Sequence, residues 1–283
     1  MSLIASSSSE GSAPQSLDEL IIENQGVVIG EEHNDRASSQ YLIESCEKAL
    51  KQGVKYLFLE DLERDLYQGH IDAYQANPNE EIPKPLENAL RFKDIICAGR
   101  EHGLGPHEVK QIAEDLKSPD PAKRAHAEQM MAKLQNYEKK QRYNRTELFK
   151  KASQLRIKIQ LIDTSEMKRL NGKERLQTLN EYACKIIHNT VVDHSEKYIV
   201  LVGKYHAVTQ LKVPGLRERL KAPLVQVDTN TGINQRRQIA NMIVHQRSQS
   251  YKVNLQVFVP KAIDPTDITS VNPSSIEDNG FFG

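Results

Sequence analysis

A chain of 283 residues can bury a substantial core and reads as one large domain, or one domain carrying an insertion. Its 38 basic and 38 acidic residues cancel and the sequence pI is about 7.1, so no net field draws it to nucleic acid or to an anionic membrane. Cys46, Cys97 and Cys184 lie far apart with no CxxC, which reads as buried thiols in a reducing compartment, and no apolar run approaches the ~20 residues that a bilayer span needs.

Residues 1–15 have no basic or apolar region of the Sec type, but carry Ser2, a Ser6–Ser9 run and Ser12 beside Gly11 and Pro14. Such a segment cannot offset its ordering entropy and is expected to be disordered. The composition suits a frayed tail as well as a Ser-rich, uncleaved export signal of the bacterial type III kind. Ser16 then caps a short helix through Glu19 to Glu23.

Val27, Val28 and Ile29 form a β-branched run suited to a strand buried on both faces. At Gly30 the run stops, and Glu31, Glu32 and His33 follow at once. A helical stripe runs from Asp35 to Gln52 and Gly53 ends it. Tyr56 to Leu59 make a second strand, ending in Glu60 and Asp61. This strand, helix, strand order predicts a βαβ unit with its two strands parallel.

From Leu62 to Lys151 the period is helical, with breaks expected at Asn77–Pro85 and Gly99–Pro106. A capped helix start is expected at Asp120 and Pro121. The segment, about 62–151, is too long for a simple crossover and reads as a helical insertion over the sheet. Ile157 to Ile162 form a third strand ending at Asp163, and a helix covers about Lys173 to Thr190. Tyr198 to Val202 form a fourth strand, which runs into Gly203, Lys204, Tyr205 and His206. Leu224 to Val227 form a fifth before Asp228. Gln235 to Gln246 reads as a helix and Val253 to Val259 as a last strand. The predicted class is α/β with a mostly parallel sheet. An α/β domain over 16–262 is followed by a loosely ordered tail over 263–283.

The strand ends hold the argument for function. Glu31, Glu32 and His33, then Glu60 and Asp61, then Asp163, His206 and Asp228 each follow an apolar run. In open parallel sheets ligands bind in the crevice beyond the carboxyl ends of the strands. Burying charge there costs several kcal/mol per ion, roughly, unless the ions are paired. Two such ends could arise by chance; five are harder to dismiss. Gly30 and Gly203 each precede a histidine by three residues and are expected to turn the chain sharply off the sheet. Histidine can exchange a proton near neutral pH, and a neighbouring carboxylate can set its tautomer. The same residue types could bind zinc, manganese or iron, but no close His-x-x-x-His pair makes that specific. No metal ligand is assigned, and no metal or disulfide is expected to be needed for folding.

At these residues the chain resembles the erythromycin esterase/ChaN-like superfamily, related to Tiki and TraB. A Gly-Glu-x-His signature is matched by Gly30, Glu31 and His33, and a strand-end glutamate by Glu60. A Gly-x-x-His followed by a Gly-Leu/Ile-x-x-Leu turn is matched by Gly203, His206, Gly215 and Leu216, with Leu220 one residue further on than the pattern has it. The motifs run from about residue 26 to 228. The stretch from Gly53 to Asp65, with Gln68 and Asp72 to Tyr74, looks like a toxin branch of that superfamily. With the Ser-rich start and stand-alone size, the chain looks like a plant-pathogen type III effector of the HopBA kind. One departure is Asp61, where toxin relatives often have histidine.

The resemblance implies a hydrolase acting inside a host cell, with host cell death as an expected outcome. His33 would be general base, Glu31 and Glu60 would orient it, and His206 would be a second acid/base or charge stabiliser. Glu32, Asp61, Asp163 and Tyr205 are supporting candidates. An arginine is expected before the third strand, Arg142 or Arg145, of which Arg145 is carried into the site. The family is divided on metals, so a divalent ion is possible and the cofactor is unknown. The rival reading is a binding module whose pocket holds a ligand or host protein without turnover. Substrate and host target are not legible in the sequence.

Overall fold

The computed structural model describes residues 16–230 and 255–260. Its helices are α1 (Leu17–Glu23), α2 (Ala37–Lys51), α3 (Arg64–Ala76), α4 (Lys84–Glu101), α5 (Pro106–Asp115), α6 (Pro121–Glu138), α7 (Arg145–Gln154), α8 (Gly172–Thr190) and the short α9 (Lys204–Ala207) and α10 (Leu216–Leu220). Its strands are β1 (Gly26–Glu31), β2 (Val54–Glu63), β3 (Lys158–Asp163), β4 (Lys197–Gly203), β5 (Leu224–Asn230) and β6 (Leu255–Pro260). The expected helix at Gln235–Gln246 and both expected tails, 1–15 and 263–283, lie outside the described residues.

The strands form one sheet in the order β3-β2-β4-β1-β5-β6, and every pairing in it is parallel, as an α/β fold requires. Alternate side chains feed two cores. On one face Val27, Ile29, Leu57, Leu59, Ile159, Leu161, Ile199 and Leu201 pack against α1 to α4 and α7. On the other, Val28, Phe58, Ile162, Val200 and Val202 pack against α8, α9 and α10. β1 and β4 are neighbours in the sheet. The chain leaves β1 over the first face through α2 and leaves β4 over the second through α9. Their carboxyl ends therefore form the switch point at which open α/β sheets leave a crevice.

Local signals explain several boundaries. Ser16 and Glu19 form a reciprocal capping box at α1, and Asp120 caps α6 with Pro121 at its first position. Two boundaries differ from expectation. β2 does not stop before Glu60 but runs on to Glu63, with a register irregularity against β3 after Leu59, so Glu60 and Asp61 are strand residues. α4 runs through Gly99 to Glu101, because Gly99 admits close packing rather than breaking the helix: a Cβ there would lie 2.3 Å from Val109 Cγ2 on α5. The helices between β2 and β3 have a small core of their own, built on Ile95, Ala98, Val109, Met131 and Leu134. Arg36, just before α2, ties them to the sheet. Its Nε donates to Glu101 at 3.2 Å and its guanidinium also to Glu138 and to the Asp94 carbonyl.

Among the described residues no strand neighbours the outer edge of β3, and side chains of α3 take that place. Gln75 donates to the Ile157 carbonyl at 2.8 Å and accepts from the Ile159 N–H at 3.0 Å. One helical repeat earlier, Gln68 donates to the Ile159 carbonyl at 3.0 Å and accepts from the Leu161 N–H at 2.8 Å. Arg64 closes the row on the Leu161 carbonyl at 3.1 Å. Primary amides present one donor and one acceptor, as a peptide group does. Two of them seven residues apart on one helix face therefore satisfy an edge that would otherwise invite another chain. Gln68→Leu should cost about 2 kcal/mol or more, since it leaves two buried backbone groups unpaired. Urea unfolding checks this, and a change below about 0.5 kcal/mol, the range of an ordinary surface substitution, would refute it.

Candidate active site

Strand alternation decides which acid meets which base. Glu31 follows Val27 and Ile29 onto the first face, and Asp61 follows Leu57 and Leu59 onto it. There Arg145, the first residue of α7, joins them across the sheet. Its Nη2 donates to both Glu31 oxygens at 2.8 and 2.6 Å, and its Nε lies 2.8 Å from Asp61 Oδ2. Ser38 Oγ also donates to Glu31. The Asp61 contact is close but poorly aligned for a hydrogen bond, and among the described residues Arg145 Nη1 has no acceptor. Asp94 of α4 places Arg145 by capping α7, accepting from the Arg145 N–H at 2.7 Å and the Thr146 Oγ1 at 2.7 Å.

Glu60 follows Phe58 to the opposite face. Its Oε2 accepts the Gly203 N–H at 2.9 Å, and its Oε1 lies 3.3 Å from Arg175 of α8. Arg175 also donates to Asp163 Oδ2 at 2.9 Å and to the Met167 carbonyl at 2.8 Å. His206 Nε2 stands 3.4 Å from the same Glu60 Oε1, while its Nδ1 is 2.9 Å from Asn180 Oδ1.

His33 joins the two clusters. Its Nδ1 is 3.7 Å from Glu31 Oε1 and its Nε2 is 3.9 Å from Glu60 Oε1. Arg100 holds its carbonyl at 2.8 Å. The sharp turn expected at Gly30 comes instead at Asn34, whose φ of 65° is left-handed, a conformation that asparagine tolerates. At Gly203 the chain does leave the sheet, since β4 ends there and α9 starts at Lys204, but its φ of −55° is one that any residue adopts. Its role is space, because a Cβ there would lie 2.1 Å from His33 Nε2.

The two histidines are driven apart electrostatically. Burial disfavours the His33 cation, but the neighbouring Glu31 carboxylate and the charges of Glu60 and Asp61 outweigh it and raise the pKa to about 9. His33 is 52% exposed, so solvent tempers that field. Burial pushes His206 below the ordinary histidine value, and the positive charges of Arg175 and His33 act in the same direction, against Glu60 and Asp163. Burial alone would raise Glu31, but Arg145, His33 and Ser38 hold its carboxyl at about 2.

The structure thus brings Glu31, His33, Glu60, Asp61, Arg145 and His206 together, with Asp163 reached through Arg175. Glu32 and Tyr205 lie on the rim instead. Glu32 pairs with Lys204, and the Tyr205 ring, 58% exposed, lies 5.3 Å from the Lys204 ammonium. Arg142 lies 5.7 Å from the Tyr143 ring and not at the site, so Arg145 is the arginine of the pair that reaches it. The Asp228 side chain falls outside the description. Sequence reasoning missed Ser38, Arg175 and Asn180. All three sit on helices with no motif to mark them, and only the sheet order brings them to the strand ends.

The donor set does not suit a divalent ion. Both Glu31 oxygens already hold the Arg145 cation and Glu60 is divided between Gly203 N–H and Arg175. Among the described residues no group of three His, Cys, Asp or Glu side chains is placed to hold a metal. Among them too, no helix is long and apolar enough to cross a membrane.

No protein-family model and no curated protein matches the chain. Solved structures similar to it include RRSP, a MARTX toxin effector domain from Vibrio vulnificus CMCP6 (20% identity, TM-score 0.47, 76% of this chain and 36% of that one). The structure of the type III effector HopBA1 is also similar (18% identity, TM-score 0.40, 78% and 84%). A third describes a thiol-protease like catalytic triad in the C-terminal region of Pasteurella multocida toxin (14% identity, TM-score 0.45, 76% and 25%). The aligned region spans little more than a third of the RRSP chain.

Two outcomes follow. A carboxyl near 2 in the fold and near 4.5 when unfolded stabilises the fold above pH 4.5, and that contribution is lost as pH falls towards 2. The stability of Glu31→Gln should therefore fall less steeply than wild type between pH 4.5 and 2 in denaturant titrations; equal slopes would refute the assignment. Gly203→Ala should push the His33 ring from its place, lowering the His33 titration midpoint from about 9 towards 6.5, as followed by NMR. An unmoved midpoint would mean that the ring needs no such space.

Proposed function

We propose that the crevice is a metal-independent hydrolase site, in a secreted bacterial effector that acts inside a host cell. The observation that supports the hydrolase reading is the convergence of His33 Nε2 and His206 Nε2 on one oxygen, Glu60 Oε1, at 3.9 and 3.4 Å. The environments of the two rings push their pKa values to opposite sides of neutrality, which suits an acid and base pair. The effector reading is supported by the motif resemblance and the Ser-rich segment over 1–15, which lies outside the described residues.

The roles this suggests differ from those the resemblance implies, in which His33 is the general base and His206 a second acid/base or charge stabiliser. His33 holds its proton at neutral pH, so it serves as acid and as a positive charge beside the developing oxyanion. His206 is neutral and serves as base. His206 Nε2 takes a proton from water as the water oxygen bonds to the substrate carbonyl carbon. The bond from that carbon to the leaving group breaks, and the leaving group takes a proton from His33. Glu60 Oε1, facing both Nε2 atoms, then returns the proton from His206 to His33, so one water is consumed and both rings are reset. Arg145 and Arg175 hold Glu31 and Glu60 in place. A thiol mechanism has no support in these residues: burial raises Cys46 to about 11, Cys97 to about 12, and Cys184 above its ordinary value.

The test is hydrolysis of p-nitrophenyl butyrate and of a peptide panel, together with toxicity on expression in host cells. His33→Ala, His206→Ala and Glu60→Gln should each lose about 10²- to 10⁴-fold, the usual scale of acid–base groups. The double histidine variant should be little worse than either single one. The pH profile should be bell-shaped, rising as His206 deprotonates below its ordinary value and falling near pH 9 as His33 deprotonates. Folded single variants with wild-type activity would leave a binding module instead.

A further inference from the structure

We infer that Asn180 is a positioning residue that keeps the neutral His206 ring in the tautomer with its proton on Nδ1, so that the Nε2 lone pair faces Glu60 and the crevice. The inference rests on the reading of His206 as the base. Asn180 is on α8, and its side chain is 1% exposed. Its Nδ2 donates to the Pro214 carbonyl at 3.0 Å. That carbonyl can only accept, so the amide cannot flip without setting two oxygens against each other. The Asn180 oxygen must therefore face His206, 2.9 Å from Nδ1. An oxygen this close needs a hydrogen on Nδ1, since an unprotonated Nδ1 would set lone pair against lone pair.

The other side of the ring has weaker geometry. Nε2 is 3.4 Å from Glu60 Oε1, and Glu60 is also engaged by Arg175 and the Gly203 N–H. The groups whose charges act on the ring are Glu60, Arg175, His33 and Asp163, and only Glu60 could draw the proton to Nε2. Without Asn180, that carboxylate would win. The neutral ring would then carry its proton on Nε2 and turn the lone pair away from the crevice. A base in the wrong tautomer loses activity while leaving the surrounding geometry intact.

The experiment is long-range proton–nitrogen NMR on the full chain labelled with ¹⁵N-histidine, recorded above the His206 titration midpoint. His206→Gln identifies the signals. In wild type, Nδ1 should be the protonated, pyrrole-type nitrogen and Nε2 the pyridine-type one. Wild type with its proton on Nε2 would overturn the proposal without any variant. In Asn180→Leu the two signals should exchange identity, and p-nitrophenyl butyrate hydrolysis should fall about 10²-fold or more in kcat with KM little changed, in the lower range of acid–base losses. A folded Asn180→Leu that keeps the Nδ1 proton would also overturn it. Asn180→Asp keeps an acceptor for Nδ1 but loses the donor to the Pro214 carbonyl, so it should preserve the tautomer while raising the His206 midpoint through the added charge, at some cost in stability. If Asn180→Leu does not fold, wild type and Asn180→Asp decide the matter. Loss of the hydrolase reading would show separately, as undiminished hydrolysis by His206→Ala.

Discussion

Everything at the carboxyl edge depends on how buried carboxylates are neutralised. Glu31, Glu60 and Asp163 are at most 7% exposed at the ends of buried strands. Each ion taken out of water costs several kcal/mol, about what a good pairing can return. Arg145 and Arg175 provide that pairing, one on each face of the sheet. Asp94 caps the helix that carries Arg145, and the Met167 carbonyl accepts from the Arg175 guanidinium itself. The arginines stabilise the acids without saturating the histidines, which leaves His33 and His206 free to differ in protonation.

That arrangement follows from a period of two. Glu60 and Asp61 are adjacent in sequence, yet alternation along β2 sends one to Arg175 and His206 and the other to Arg145. Had β2 ended before them, both would project into solvent from a loop. Continued pairing of β2 past Leu59 turns a polar strand end into two separate clusters. His33 is the side chain that touches both, and Gly203 leaves the space in which its ring lies.

The helical insertion has a structural part in the same site. It brings Asp94, and through Asp94 the start of α7, to β1 and β2. α3 meanwhile satisfies the edge of β3 with Gln68 and Gln75, as a neighbouring strand would. One stretch of chain thus supplies both the closing of an edge and the arginine that clamps Glu31.

Much was legible in the sequence. β-branched runs such as Val27 to Ile29 marked buried parallel strands, and caps such as Ser16 and Asp120 marked helix starts, because these signals are local. The acids and histidines at the strand ends were legible too, because ionisable groups abutting apolar runs need a reason. What only the tertiary structure decided was which of them meet. Strand order, with β4 inserted between β1 and β2, brings His206 beside Glu60 although 146 positions separate them in the chain. Arg175, Asn180 and Ser38 carry no local mark, since a polar residue on a helix is usually solvated. Their roles come from the sheet partner opposite, and protonation follows the same rule: identical imidazoles are shifted in opposite directions only through burial and neighbouring charge, which no stretch of sequence contains.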